Sequence, residues 1–355
     1  MKMPIPAIVI GYRTEPKPNI GAVLASKLVK PEWELRYVVR SKRLLVPQGV
    51  GYRDSLYVAS DPTAFRELLK TTPKGVIFIC VQTQDTGEVA LRYAEQAVSE
   101  GWYVVTAEKG MAAYHFEEVK PFIDMIDFGG TVGGGNRFMY TVADRYLSLK
   151  RVLMYGVFNA TLNFILSEVN GGRSLEDAVD HASQIGIAEP LKPGEVLNPV
   201  VLINGELRDV AMKICALFNF ALANGEYITP DAFGNPQINE DDISRLLSAN
   251  DLWRFVVTIT NQSRHIDREN DVIAPMKAEV GNWHISAGFK KIRGGPLAHW
   301  LPTVGGINNG ILLTEGDHTY SFGGPGAGRA TVDALLIGAR RLLARTKGAY
   351  SPSDK

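Results

Sequence analysis

Four short, nearly all-apolar runs in the first part of the chain constrain its fold more than any other feature. They are Ala7-Ile8-Val9-Ile10-Gly11, Leu35-Arg36-Tyr37-Val38-Val39, Gly75 to Val81, and Trp102-Tyr103-Val104-Val105-Thr106. Strands with so little polar content have no solvent side and suit a sheet covered on both faces. Between the first two, Ile20 to about Val29 reads as a helix with Pro31 just beyond it. Between the last two, Glu88 to Glu100 is amphipathic at helical spacing. Parallel neighbours need a crossover, so strands alternating with helices predict an α/β fold with a doubly wound parallel sheet.

The chain then changes character. Gly129-Gly130-Thr131-Val132-Gly133-Gly134-Gly135 is a cluster that a packed helix or strand would not tolerate, and it predicts backbone closely approached by a ligand or a crossing between domains. Leu162 to Glu168 reads as a helix, and Ser174 with Asp177 begins another that runs to about Gln184. Asp241 to Ala249 is helical, Phe255 to Thr260 is a strand, and Ala278 to Ala287 is a strand interrupted at Gly281. Gly310 to Thr314 is a last strand, followed by Gly323 to Gly328 and a helix from Ala330 to about Ala344. At 355 residues the chain exceeds what one ordinary core supports, so two domains are expected. Residues 1–145, completed by 324–355, form the first; residues 146–323 form a mixed second domain.

Composition narrows the function. Lys plus Arg and Asp plus Glu number 38 each, so no global charge draws the chain to nucleic acid or anionic lipid. No apolar run approaches a membrane span, and the start reads as too short for a signal peptide. The two cysteines, Cys80 and Cys215, sit far apart in apolar runs and read as buried thiols of a cytoplasmic protein. The six histidines show no metal-ligand spacing, so no metal site is expected.

Chemistry concentrates between Gly186 and Lys213. Asp209 and Lys213 are four apart, which puts them on one helix face, one turn from each other. Glu189 precedes them across an irregular segment holding Pro190, Pro193, Gly194 and Pro199. A loop carboxylate with an acid and a lysine on one face suits binding of a substrate ammonium while a lysine handles a proton. The plain alternative is a solvated surface pair worth a few tenths of a kcal/mol. The apolar neighbours Val210, Ala211, Ile214, Cys215 and Leu217 speak against it.

The first strand and helix are where a dinucleotide would bind, with glycines admitting its pyrophosphate to the helix N-terminus. Gly11 and Gly21 stand as the outer glycines of a G-x-G-x-x-G pattern that is stretched and lacks its middle member. After the second strand comes Arg40-Ser41-Lys42-Arg43, where three cations around a serine suit the 2′-phosphate of NADP. Without a ligand the same turn is an ordinary solvated basic loop.

Six ordered stretches resemble the homoserine dehydrogenase family, in its short form without a C-terminal regulatory domain. They are Val104 to Lys109, Thr131 to Gly135, Asn159 to Leu166, Gly186 to Pro190, Asp209 to Lys213, and Gly324 to Gly328 with Thr331. The resemblance implies a Rossmann-type domain completed by the C-terminal helix, a mixed α/β substrate-binding and dimerisation domain, and a homodimer. It implies Lys109 and Lys213 as catalytic lysines. Glu189 and Asp209 would hold the substrate's amino group or order a water beside it, with Ala160 and Thr161 beside the substrate. Gly11, Gly21, Arg40, Ser41, Lys42, Arg43, Thr106 and Gly326 would contact the cofactor, NADP with NAD as the alternative.

The departures are as informative. Ala160 stands where the family has a glycine, adding a methyl group. The glutamate that helps the family bind a monovalent cation is replaced by Gly129. The aspartates expected between Glu189 and Asp209 are missing, leaving Glu195, Asn198 and Asn204. The implied activity is interconversion of homoserine and aspartate 4-semialdehyde in aspartate-derived amino-acid biosynthesis. Two alternatives stand beside it: a related oxidoreductase for another small amino-acid-like alcohol or aldehyde, and a non-catalytic metabolite-binding descendant. Assay of both nicotinamide cofactors against a panel of alcohols separates them.

Overall fold

The computed structural model describes the chain except at residues 1–2, 16, 30, 41–42, 49–50, 55–61, 82–85, 147–150, 189–193, 195, 248–251, 263–271, 293–294, 316–317, 327 and 346–355. Glu189, Ser41 and Lys42 therefore lie outside the described residues. The chain divides into two compact units, Met1–Arg137 with Gly328–Lys355, and Phe138–Ala327.

In the first unit a seven-stranded sheet is built from β1 (Ile5–Ile10), β2 (Trp33–Arg40), β3 (Arg43–Gln48), β4 (Gly51–Asp54), β5 (Val76–Ile79), β6 (Tyr103–Thr106) and β7 (Ile126–Asp127), in the order β4-β3-β2-β1-β5-β6-β7. From β2 to β7 every neighbour is parallel, while β3 and β4 extend the sheet antiparallel beyond β2. The parallel core is the doubly wound, Rossmann-type arrangement that the apolar runs predict. The antiparallel extension is an addition: the basic turn after β2 joins two paired strands, with Arg40 opposite Arg43. Helices α1 (Ile20–Lys27), α2 (Pro62–Thr71) and α3 (Glu88–Ser99) provide crossovers. Ala7, Val9, Leu24, Val38, Val76, Phe78 and Val105 share one core with Val332, Leu335, Ala339 and Leu342 of the C-terminal helix, Arg329–Arg345. On the surface, Lys27 meets Asp333 at 2.7 Å and Arg340 forks onto Glu32.

The glycine cluster has a packing explanation inside this unit. Asp127, at the end of β7, and Arg137 form a buried bidentate pair with nitrogen–oxygen distances of 3.2 and 2.8 Å. The same guanidinium donates to the carbonyl of Ala334 in the C-terminal helix at 3.2 Å. A Cβ at Gly129 would collide with that guanidinium, and one at Gly338 with the Asp127 carboxylate. At Gly135 it would press on Ala330 at 3.0 Å. At Gly129, Gly135 and Gly338 the small residue lets a charged pair and a helix pack together.

The second unit holds an antiparallel sheet in the order β10-β11-β9-β8-β12-β13. Its strands are β8 (Leu153–Val157), β9 (Trp253–Thr260), β10 (Val272–Val280), β11 (Trp283–Lys291), β12 (Asn308–Glu315) and β13 (His318–Pro325). The stretch 278–287, expected as one interrupted strand, is instead a hairpin. Val280 pairs with Trp283 across Gly281 and Asn282, and Gly281 takes φ +55° as such a two-residue turn requires. Gly323 to Pro325, for which the sequence predicts no strand, belongs to edge strand β13, where proline and glycine are tolerated. Helices in this unit include α4 (Phe138–Tyr146), α5 (Ala160–Asn170), α6 (Leu175–Ile185) and α7 (Pro199–Ala221). α5 packs on β9 and β12, and α7 lies against α4, α5 and α6.

Candidate functional site

Asn198 starts α7 by accepting from the Val201 amide at 2.9 Å, and Pro199 occupies the first helical position. The helix then runs 23 residues and is buried on several sides by Leu202, Leu207, Val210, Ile214, Leu217 and Phe218. Its polar residues are consequently drawn inside. Asp209 is 2% exposed and Glu206, one turn earlier, 1%. Asp209 Oδ2 binds Lys213 Nζ at 2.7 Å, and that ammonium also donates to the Phe158 carbonyl at 3.0 Å. Asn159 Nδ2 donates to Asp209 Oδ2 at 2.8 Å and to Glu206 Oε2 at 2.6 Å. A solvated surface pair this is not: the Asp209 side chain is 3% exposed and that of Lys213 14%.

The start of α5 supplies the other wall. Asn159 caps it, its Oδ1 accepting from Leu162 N at 2.7 Å. Ala160 is buried as the first helical residue. Thr161 donates its hydroxyl to the Ile187 carbonyl at 2.8 Å, tethering the segment that leads to Glu189. Asn309, fully buried, reaches the Phe158 carbonyl at 3.4 Å, and Gly326 leaves room for its amide. Gly326 thus belongs to the second unit and packs on Asn309. The positions where aspartates were expected have structural work: Asn198 caps α7, and Asn204 exchanges two bonds with the Ile238 backbone. Sequence reasoning missed Glu206 and gave Asn159 no role. Glu206 carries one signal, its place three residues before Asp209 on the same helix face.

In the first unit Thr106 is buried at the end of β6, its hydroxyl donating to Ile79 O and accepting from Glu108 N. The Glu108 carboxylate receives the amides of Gly110 and Met111 at 2.5 and 2.8 Å. It thereby fixes the turn that carries Lys109, which is half-buried immediately before the short helix Gly110–Tyr114. Gly11 has φ +89°, and a Cβ there would lie 2.6 Å from the Cys80 backbone. Asn19 folds the long loop back, donating to Gly11 O at 2.6 Å and accepting from Arg13 N and Ala22 N. Gly21 lets the start of α1 approach the Gly11 carbonyl, and the exposed Arg40 and Arg43, at the end of β2 and the start of β3, suit the phosphate of a dinucleotide. Both cysteines are buried, and burial pushes the Cys80 thiol up to about 12 and that of Cys215 well above its usual value, away from the reactive thiolate.

Gly129 bears on cations. The space a side chain would take there holds the Arg137 guanidinium, a permanent positive charge. Activity is expected to change little between sodium and potassium at constant ionic strength. Large, saturable activation by one of them would contradict this.

The chain thus joins a Rossmann-type sheet unit, the kind on which dinucleotides are commonly bound, to an antiparallel-sheet unit with a buried acid–lysine pair. A profile described as homoserine dehydrogenase matches residues 140–336, and the chain belongs to the homoserine dehydrogenase family. It is 25% identical over 272 residues to a homoserine dehydrogenase of Sulfurisphaera tokodaii, covering 74% of this chain and 75% of that protein. It is 26% identical over 261 residues to an NAD(+)-dependent homoserine dehydrogenase of Pseudomonas canavaninivorans, covering 70% of this chain and 65% of the other. In fold it is similar to a hyperthermophilic archaeal homoserine dehydrogenase solved in complex with NADPH, at 18% identity, a TM-score of 0.61 and 98% coverage of each chain. Among the described residues no helix is long and apolar enough to cross a membrane.

Proposed function

We propose that the chain interconverts homoserine and aspartate 4-semialdehyde, with NADP preferred over NAD. The observation that carries this is the Asp209–Lys213 pair, buried in α7, anchored on Phe158 and Asn159, and inside the family match. When bound, an oxidised nicotinamide supplies the acceptor for the hydride leaving the substrate carbon. In the direction of reduction the Lys213 ammonium, seated on Asp209 and the Phe158 carbonyl, gives a proton to the aldehyde oxygen, and in the direction of oxidation the resulting neutral amine takes the hydroxyl proton back. Asp209 and Glu189 hold the substrate's amino group, Thr161 and Ala160 border it, and Lys109 is assigned as the second catalytic lysine. Arg40, Ser41, Lys42 and Arg43 receive the 2′-phosphate, while Gly11, Gly21, Thr106 and Gly326 border the cofactor. A homodimer in the cytoplasm, with no nucleic-acid partner, completes this assignment.

Ala160 favours a second reading, a different small amino-acid-like substrate, since its methyl group occupies the start of α5 beside Asn159. Initial rates with homoserine and related amino alcohols, each with NADP and NAD, decide between them. Homoserine is expected to give the highest kcat/KM; a rate confined to another alcohol would favour the second reading, and no rate on any would sink both.

Cofactor choice is tested separately. Arg40→Ala is expected to weaken NADP binding by roughly 1.5–3 kcal/mol, the worth of a charge-assisted bond, and to leave NAD binding nearly unchanged. Equal losses for both cofactors would mean that the basic turn reads something else.

A further inference from the structure

We propose that Asn159 is a positioning residue for the Asp209–Lys213 pair, resting on the reading of that pair as the reacting centre. As a helix cap Asn159 needs only its oxygen: Oδ1 accepts from Leu162 N at 2.7 Å, with the extended backbone that a cap requires (φ −123°, ψ 113°). Serine or aspartate would cap as well, so capping does not account for the amide. The bond from Leu162 also fixes which way the amide points and turns Nδ2 toward α7. There its two hydrogens meet two carboxylates, Asp209 at 2.8 Å and Glu206 at 2.6 Å.

These bonds close a ring. Lys213 binds the same Asp209 oxygen that Asn159 holds, and also the carbonyl of Phe158, the residue before Asn159. Two consecutive residues at the start of α5 therefore seat both members of the pair. Two buried carboxylates converging on one point repel each other, and a neutral amide between them satisfies both without adding charge. With the amide gone, the ring opens at Asp209, and the carboxylate that seats Lys213 is no longer held to the start of α5 through Asn159.

Asn159→Ser and Asn159→Asp separate this role from capping, because each keeps an acceptor for Leu162 N. Two quantities are read: kcat and KM on homoserine, and the rate at which acetic anhydride acetylates Lys213 relative to exposed Lys70, followed by mass spectrometry. Asn159→Ser keeps the cap but leaves two buried carboxylates short of a donor, so it is expected to melt below the parent; assayed well under that melting temperature, it should lose roughly 10- to 100-fold in kcat, as a reacting group displaced by about an ångström does. Its KM for NADP should hold, and its Lys213 acetylation ratio should rise several-fold. Asn159→Asp, which adds a third carboxylate, should lose more. Parent-like kcat and acetylation in Asn159→Ser would overturn the proposal, as would a kcat loss with the acetylation ratio unchanged. A parent inactive on homoserine would count against the function proposed above, and the acetylation ratio would still decide the role of Asn159.

Discussion

Lys213→Ala is expected to lower turnover by roughly 10²–10⁴-fold, the range for a lost acid–base group. The same change removes the cation bound to a carboxylate that is only 2% exposed, so stability falls with activity. Lys213→Arg separates the two effects. A guanidinium keeps a positive charge for Asp209 but does not give up a proton near neutrality. Its turnover should fall nearly as far as the alanine variant's, with most of the stability retained. Asp209→Ala should raise the KM for homoserine and also destabilise the second unit, because Lys213 and Asn159 both lose an acceptor there. Near-normal kinetics in all three would remove Asp209 and Lys213 from the reacting centre.

The second large effect lies away from the chemistry. Asp127→Ala should cost about 3–5 kcal/mol of stability in denaturant unfolding, the usual result of breaking a buried ion pair from one side. Arg137 would keep its bond to Ala334 but lose the carboxylate that neutralises it. Replacing both partners with apolar residues, as in Asp127→Leu with Arg137→Met, should recover much of that loss. Gly338→Ala reaches the same pair from the C-terminal helix, because its methyl group would displace the Asp127 carboxylate. A loss below about 1 kcal/mol in Asp127→Ala would show that the pair does not hold the helix.

The parallel sheet was legible because its strands are nearly all apolar and lie between amphipathic helices, so pattern and environment agree. β3 and β4 were not: Arg43 to Asp54 mixes Leu44, Leu45 and Val46 with Pro47 and charged residues, and pairing with β2 decides the matter. The hairpin of β10 and β11 was hidden by reading Gly281 as a break in one strand when it is the turn between two. The glycines at 129–135 suggested a ligand approach or a domain crossing; the chain does pass between units just beyond them, at Arg137–Phe138, but sequence did not show the Arg137 guanidinium at Gly129 or Ala330 at Gly135.

Within the site, spacing put Asp209 and Lys213 together, and an apolar helix explains why they are buried. Glu206 escaped notice because an acid on a helix is by default a surface residue, and only the packing around α7 shows otherwise. Asn159 escaped because its neighbours on α7 lie 47 and 50 positions away in sequence. No local pattern reports a contact of that range.

The most direct measurement follows the hydride itself. Purified protein is incubated with aspartate 4-semialdehyde and NADPH carrying deuterium at the transferable position of nicotinamide C4, and the product is examined by mass spectrometry. The expected product is homoserine with one deuterium on the carbon bearing its hydroxyl group, formed at a rate that Lys213→Arg lowers by roughly 10²-fold or more. Homoserine formed without deuterium, or no reduction by either nicotinamide cofactor, would contradict the assignment.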